Sequence, residues 1–309
     1  VSVRRTILIA PIGLMLAGAG AGQSAPPPQP IQITATQGIE WQQNSNQVIA
    51  TGSAQAVRGN VTVQADQLIA HYRKKAEAAV ATGSGPGVVV KPVIADPETA
   101  LESGTTEIYE LDAIGHVHIF TPTDNAFGDH AVYRMDGAVL VLTGAHLKLT
   151  TPEDVITAKN SIEYYSVKRQ AVARGNALIT GKDGKSIAAD VIVGYLAPAA
   201  APAAPAASTT AAGQPPDILG QAGKLQKVDA IGNVEIRTPN ETVTGNSGVY
   251  LPDRGLARLG GNVHIISGPN VLSGSDALMN MKTGVATLLA APGGQVAGTI
   301  TPNAAPGVK

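Results

Sequence analysis

The sequence predicts an all-β chain: an elongated β jelly roll or solenoid built from repeated strand–turn–strand units of roughly 30 residues. Three observations predict it. The 309 residues hold 35 Gly and 21 Pro but only 3% aromatics, a mixture that suits many short strands and turns. Alternating apolar stretches cross a glycine at Gly52, Gly83, Gly115, Gly144, Gly175, Gly232 and Gly261, at spacings of 31, 32, 29, 31, 57 and 29 residues. Residues 112–133 (DAIGHVHIFTPTDNAFGDHAVY) and 229–250 (DAIGNVEIRTPNETVTGNSGVY) are one unit written twice, identical at 11 of 22 positions without a gap. The constant period favours an elongated stack over a compact sandwich.

The elements follow in chain order. Arg4 and Arg5 precede an apolar run from Ile7 to Gly22 and then small residues, the order of a secretory signal peptide. The run is shorter than a membrane-spanning helix needs, and Pro11 interrupts it. Residues 1–25 are therefore expected to be a signal peptide and 26–30 a stiff proline-rich lead-in. Residues 31–195 form the first part of the jelly roll, 196–223 an Ala/Pro-rich insert that accounts for the spacing of 57, 224–291 the second part, and 292–309 a C-terminal tail. The chain has no Cys, so strand pairing and packing must hold it without disulfides. Its 22 basic and 23 acidic residues leave no basic stripe for nucleic acid.

Each unit opens on turn residues such as Asn44-Ser45-Asn46, Asp136-Gly137 or Lys282-Thr283-Gly284. A strand then crosses the glycine, which reads as a kink or bulge. A second turn at Thr121-Pro122, Thr151-Pro152 or Thr238-Pro239 leads into the next strand. That strand ends near Tyr72, Tyr133, Tyr165, Tyr195 or Tyr250, 18–21 residues after the glycine. Val61 and Val63, Leu147 and Leu149, Val234 and Ile236 alternate with polar residues, so one face of each strand is apolar.

These segments resemble the LptA/OstA family of periplasmic lipopolysaccharide-transport bridge proteins. The resemblance rests on IQITATQGIEW…NQVIATGSAQAVRGNVTVQADQLIAHY (31–72), IAADVIVGY (187–195) and LARLGGNVHIISGPNVLSGSDALMNMKTGVATLL (256–289), and covers most of 31–291. It implies a jelly roll open along one side, a "β-taco", whose apolar interior carries lipid A acyl chains. It also implies lipopolysaccharide as ligand and a place in the Gram-negative periplasm. An inner-membrane anchored partner is implied at the N-terminal edge and the outer-membrane translocon at the C-terminal edge, with head-to-tail self-association. The insert and the extra units depart from the short members. An exposed chain of about a dozen methylenes costs roughly 10 kcal/mol in water, at about 0.8 kcal/mol per CH₂, so such a lipid needs a continuous apolar shelter.

Strand parity then names candidate groove residues: Val61, Val63, Leu68, Val117, Ile119, Val132, Leu147, Leu149, Val191, Val234, Ile236, Val263, Ile265 and Leu278. Other motifs are set aside. His116 and His118 share a strand at metal-binding spacing, but Val117 and Ile119 take the inward face, and His71, His130, His146 and His264 read as surface residues. GKDGKS (181–186) lacks the first glycine of a phosphate loop and precedes a strand, so Asp183-Gly184 is read as a hairpin turn. Asp66 and Asp190 follow alanine at equivalent places and read as solvated strand-edge or turn-bonding groups. No nucleophile elbow or paired carboxylate set is found, so the chain is not expected to be an enzyme or to need a metal or cofactor. The competing reading is a structural or adhesive β-solenoid that self-assembles through its edge strands without binding lipid.

Overall fold

The computed structural model describes residues 31–74, 106–197 and 224–300. Among these residues it contains strands and turns but no helix. The first rung is split between β1 (Gln32–Thr34) and β2 (Gly38–Gln42), both paired with β3 (Gln47–Arg58). Next come β4 (Val61–Lys74), β5 (Thr106–Phe120) and β6 (Asn125–Arg134). Two split rungs follow: β7 (Val139–Thr143) with β8 (Leu147–Thr150), and β9 (Asp154–Ala158) with β10 (Ser161–Tyr165). Then run β11 (Gln170–Gly181), β12 (Ser186–Leu196), β13 (Leu225–Arg237) and β14 (Thr242–Leu251). The ladder ends with β15 (Leu256–Ser267), β16 (Asn270–Asn280) and the split pair β17 (Val285–Leu289) and β18 (Ala297–Thr299).

Every pairing is antiparallel and joins neighbouring rungs. Ten long strands and four split pairs make fourteen rungs. At roughly 4.8 Å per rung the ladder is about 60 Å long.

A corner divides each rung into two leaves. In β5 it falls at Gly115 (φ +77°) and His116 (φ +47°), in β13 at Gly232 (φ +77°) and Asn233 (φ +47°). Two successive left-handed residues insert one extra residue opposite the neighbouring strand, which is a β-bulge. The first position takes only glycine comfortably, because a Cβ on Gly115 or Gly232 would meet the carboxylate of Asp66 or Asp190. Those aspartates bond the corner: Asp66 Oδ2 lies 2.8 Å from His116 Nδ1, and Asn233 Nδ2 donates to Asp190 Oδ2 at 3.0 Å. Both aspartates thus bond the bulge of the neighbouring strand rather than a turn.

The two leaves lie face to face. Gly128 of leaf two approaches Leu142 of leaf one, and Gly248 of leaf one approaches Val234 of leaf two. One apolar cluster runs between them from Ala50 to Met281. Small residues set the close approach. Along leaf two the inward row reads Ala54, Ala65, Val117, Gly128, Leu147, Ala158, Ala177, Ala189, Val234, Gly245, Val263.

β4 pairs directly with β5 and β12 with β13. Gly83, expected to mark a rung, lies in 75–105, outside the described residues. The expected signal peptide and proline-rich lead-in, and residues 301–309 of the expected tail, also lie outside the described residues.

Candidate functional site

The interior between the leaves is built from the inward residues of every rung. Val117, Ile119, Leu147, Val234, Ile236, Val263 and Ile265 are buried in it, together with Leu68 at its margin. Val61, Val63 and Leu149 are partly buried and pack against the same cluster. The structure thus brings eleven of the fourteen candidates together.

Val132, Val191 and Leu278 face the other way. Their neighbours Ala131 and Tyr133, Ile192, and Ala277 and Met279 take the inward positions, and Leu278 is 47% exposed. The cause is the corner. Where β5, β11, β13 and β15 spend two residues, the partner strands spend one: Asp129 in β6, Asp190 in β12, Ser275 in β16. One residue slips the alternation, so parity carried unbroken from the first half of β6, β12 or β16 assigns the second half to the wrong face.

Other inward residues were not singled out. Leu142, Val228, Val243, Leu259 and Met279 are all almost fully buried, as are the alanines of both leaves. Val228 and Leu259 keep the parity of Val234 and Val263 across the two-residue corner, whereas Met279 is reached only by skipping Ser275.

The leaves pack against each other, and a cavity among Ile187, Val228, Ala230, Val234, Ile236, Gly248, Val249 and Tyr250 measures about 10 Å³, room for at most one water. On one side the corner joins the leaves through the chain itself. On the other side the hairpin tips of the two leaves meet without any strand pairing between them among the described residues. This seam is lined by groups that the sequence reading did not bring together.

Tyr133 and Tyr250 reach it from leaf one. Burial pushes the Tyr133 hydroxyl well above its usual range, with nearby Arg58 pulling it back, and that hydroxyl has no hydrogen-bond partner. Burial likewise raises Tyr250, with Asp183 and Asp154 adding to the rise and Lys185 opposing it. From leaf two come the repeated Thr-Pro turns. In each, the threonine hydroxyl accepts from the N–H of the acid three residues on: Thr121 from Asp124 at 3.0 Å, Thr151 from Asp154 at 3.0 Å, Thr238 from Glu241 at 3.2 Å. These turns aim Asp124, Asp154 and Glu241 along the inward parity of their strands, and burial raises the pKa of each above the ordinary carboxylate value. The Thr-Pro turns and the terminal tyrosines were legible singly; their meeting across the seam needed the corner.

The remaining motifs resolve locally. His116 sits at the bulge against Asp66, while His118 stacks on Phe120 and Phe127 with centroids 4.6 and 4.3 Å away. Asp183-Gly184 forms the hairpin turn between β11 and β12, with Gly184 at φ +77° and its N–H donating to Gly181 O at 3.0 Å.

Residues 32–160 match the family model described as LptA/(LptD N-terminal domain) LPS transport protein. Among solved structures the chain is similar to LptH from Pseudomonas aeruginosa, the LptA homologous periplasmic component of the conserved lipopolysaccharide transport device. That likeness has 13% identity, covers 58% of this chain and 95% of that one, and has a TM-score of 0.25. No curated protein matches the chain. The family match thus lies on the first rungs of the ladder, over residues 32–160, and is what this part of the chain is similar to.

Proposed function

We propose that the interior between the leaves is a conduit for the acyl chains of lipopolysaccharide. The observation that carries the reading is an unbroken apolar interior along fourteen rungs, closed by covalent corners on one side and only by meeting side chains on the other. Acyl chains enter by parting the seam, since the corner cannot open without breaking the ladder. They replace the contacts that the leaves now make with each other, so apolar surface stays out of water throughout.

The chain works in the periplasm as a non-enzymatic carrier or bridge. Its end rungs suit partners that add strands. Among the described residues β1 and β2 pair only with β3, and β17 and β18 only with β16. An inner-membrane anchored partner takes the first edge and the outer-membrane translocon, or a second copy, takes the last.

The packed interior favours one other reading, a structural solenoid that binds no lipid. A photo-reactive amino acid at Val234, which is inward and 1% exposed, or at its outward neighbour Glu235, separates the two. A conduit yields lipopolysaccharide adducts in living cells at Val234 and none at Glu235. Folded, exported protein with adducts at neither position would establish the structural solenoid.

A further inference from the structure

We propose that His71, Glu110, Asp112 and His130 form a divalent-metal site on the outer face of leaf one, of the donor class that suits zinc. Three adjacent strands supply it. His71 comes from β4, Glu110 and Asp112 from alternate positions of β5, and His130 from β6. The ligand atoms of His71, Glu110 and Asp112 all lie within 4.8 Å of one another. Asp112 stands between the two imidazoles, with Oδ2 2.8 Å from His71 Nε2 and Oδ1 3.7 Å from His130 Nε2.

Those distances bracket what a tetrahedral zinc requires. Bonds of about 2.0–2.2 Å to nitrogen and oxygen place neighbouring donors roughly 3.4 Å apart. Ligand atoms that start within 4.8 Å of one another then need side-chain shifts on the order of an ångström, with the ion taking its place between His71 and Asp112. Two imidazoles and two carboxylates form a mixed nitrogen–oxygen set, which suits zinc rather than the all-oxygen shells of calcium or magnesium.

The surroundings fit this role. His71 and Asp112 side chains are 17% exposed, sheltered enough to be held in place and open enough to be reached. The Gln47 amide lies 3.2 Å from His71 Nδ1, so turning that amide presents its oxygen to an Nδ1 proton and frees Nε2 for the metal. Arg134 holds Glu110 through Oε2 at 2.9 Å, which leaves Oε1 for the ion. A simple His71–Asp112 ion pair would engage neither Glu110 nor His130, and it would not respond to metal. The four ligands escape a reading of the sequence because they span positions 71 to 130 and meet only through strand register. The site is independent of the lipid conduit, since it lies on the opposite face of leaf one.

The test is calorimetric titration of zinc chloride into the untagged, chelator-stripped full chain at neutral pH, with melting followed alongside. One saturable equivalent and a higher melting temperature are expected. His71→Ala and Asp112→Asn should each weaken binding by about 10–100-fold, and His116→Ala should leave it unchanged. Glu110→Gln keeps the shape of its side chain and serves as the weakened variant should the others fail to fold. Absence of saturable binding, or equal affinity in wild type and in the folded His71, Asp112 or Glu110 variants, would overturn the site.

Discussion

Glu163 and Glu241 carry one side chain into opposite surroundings. Burial pushes Glu163 up, but hydrogen bonds from Arg174, Tyr165 and Ser161, each 2.8 Å, outweigh it and hold the carboxyl below its ordinary range. Glu241 has a buried, unpartnered Oε1 at the seam, and burial alone pushes it up. The linkage signs are opposite. Glu163 contributes stability that is present above the unfolded carboxylate pKa and is lost on acidification. Glu241 costs stability as pH rises from that pKa through its own raised one. Glu163→Gln should therefore lower stability by about 2 kcal/mol at neutral pH, with the difference closing in acid. Glu241→Gln should raise the melting temperature at neutral pH and leave it unchanged in acid. Urea titrations at a series of pH values read both, and equal pH slopes for the two variants would refute the assignment. Ser161 and Tyr165 flank Glu163 in the sequence, two residues away on either side, whereas Arg174 reaches it only through strand register.

The corner is the element that decides what could be read in advance. Alternation within half a strand was legible, which is why Val234, Ile236, Val263 and Ile265 fall inward as expected. The slip at Asp129, Asp190 and Ser275 was not, because an extra residue in one strand is defined only against its partner. Val132, Val191 and Leu278 went to the wrong face for that one reason. Glycine at the corner was legible as a kink, and its conformational demand is testable. Gly232→Ala must hold a Cβ at φ +77° beside Asp190, and should cost about 1–2 kcal/mol from backbone strain. Ala230→Gly, two residues earlier on the straight part of β13, gives the comparison for a generic loss of strand propensity. A shift in urea midpoint for Gly232→Ala no larger than that control would argue against the corner as a strained, glycine-dependent joint.

At the scale of the whole molecule, both long connections leave from the same rim. The links after β4 and after β12 depart from the tips of leaf one, whereas leaf two turns tightly at residues 59–60, 121–124, 151–153, 182–185, 238–241 and 268–269. The ladder closes across the second connection without help, since the Ala197 N–H donates to Lys224 O at 2.8 Å. Replacing 198–223 with a short Gly-Ser link should therefore keep the strand signature in circular dichroism and move the melting temperature by only a few degrees. A collapse of the cooperative transition would show instead that the connection props the two halves together.

Among the described residues the rungs also pair only with their neighbours, and this gives the molecule an integer length. A duplication event that copied one two-strand unit would add roughly 10 Å and leave every existing register intact; the half-identical stretches at 112–133 and 229–250 have the form of such a copy. Reach across a gap can thus be inherited in whole steps, adjusted by copying rather than by redesign.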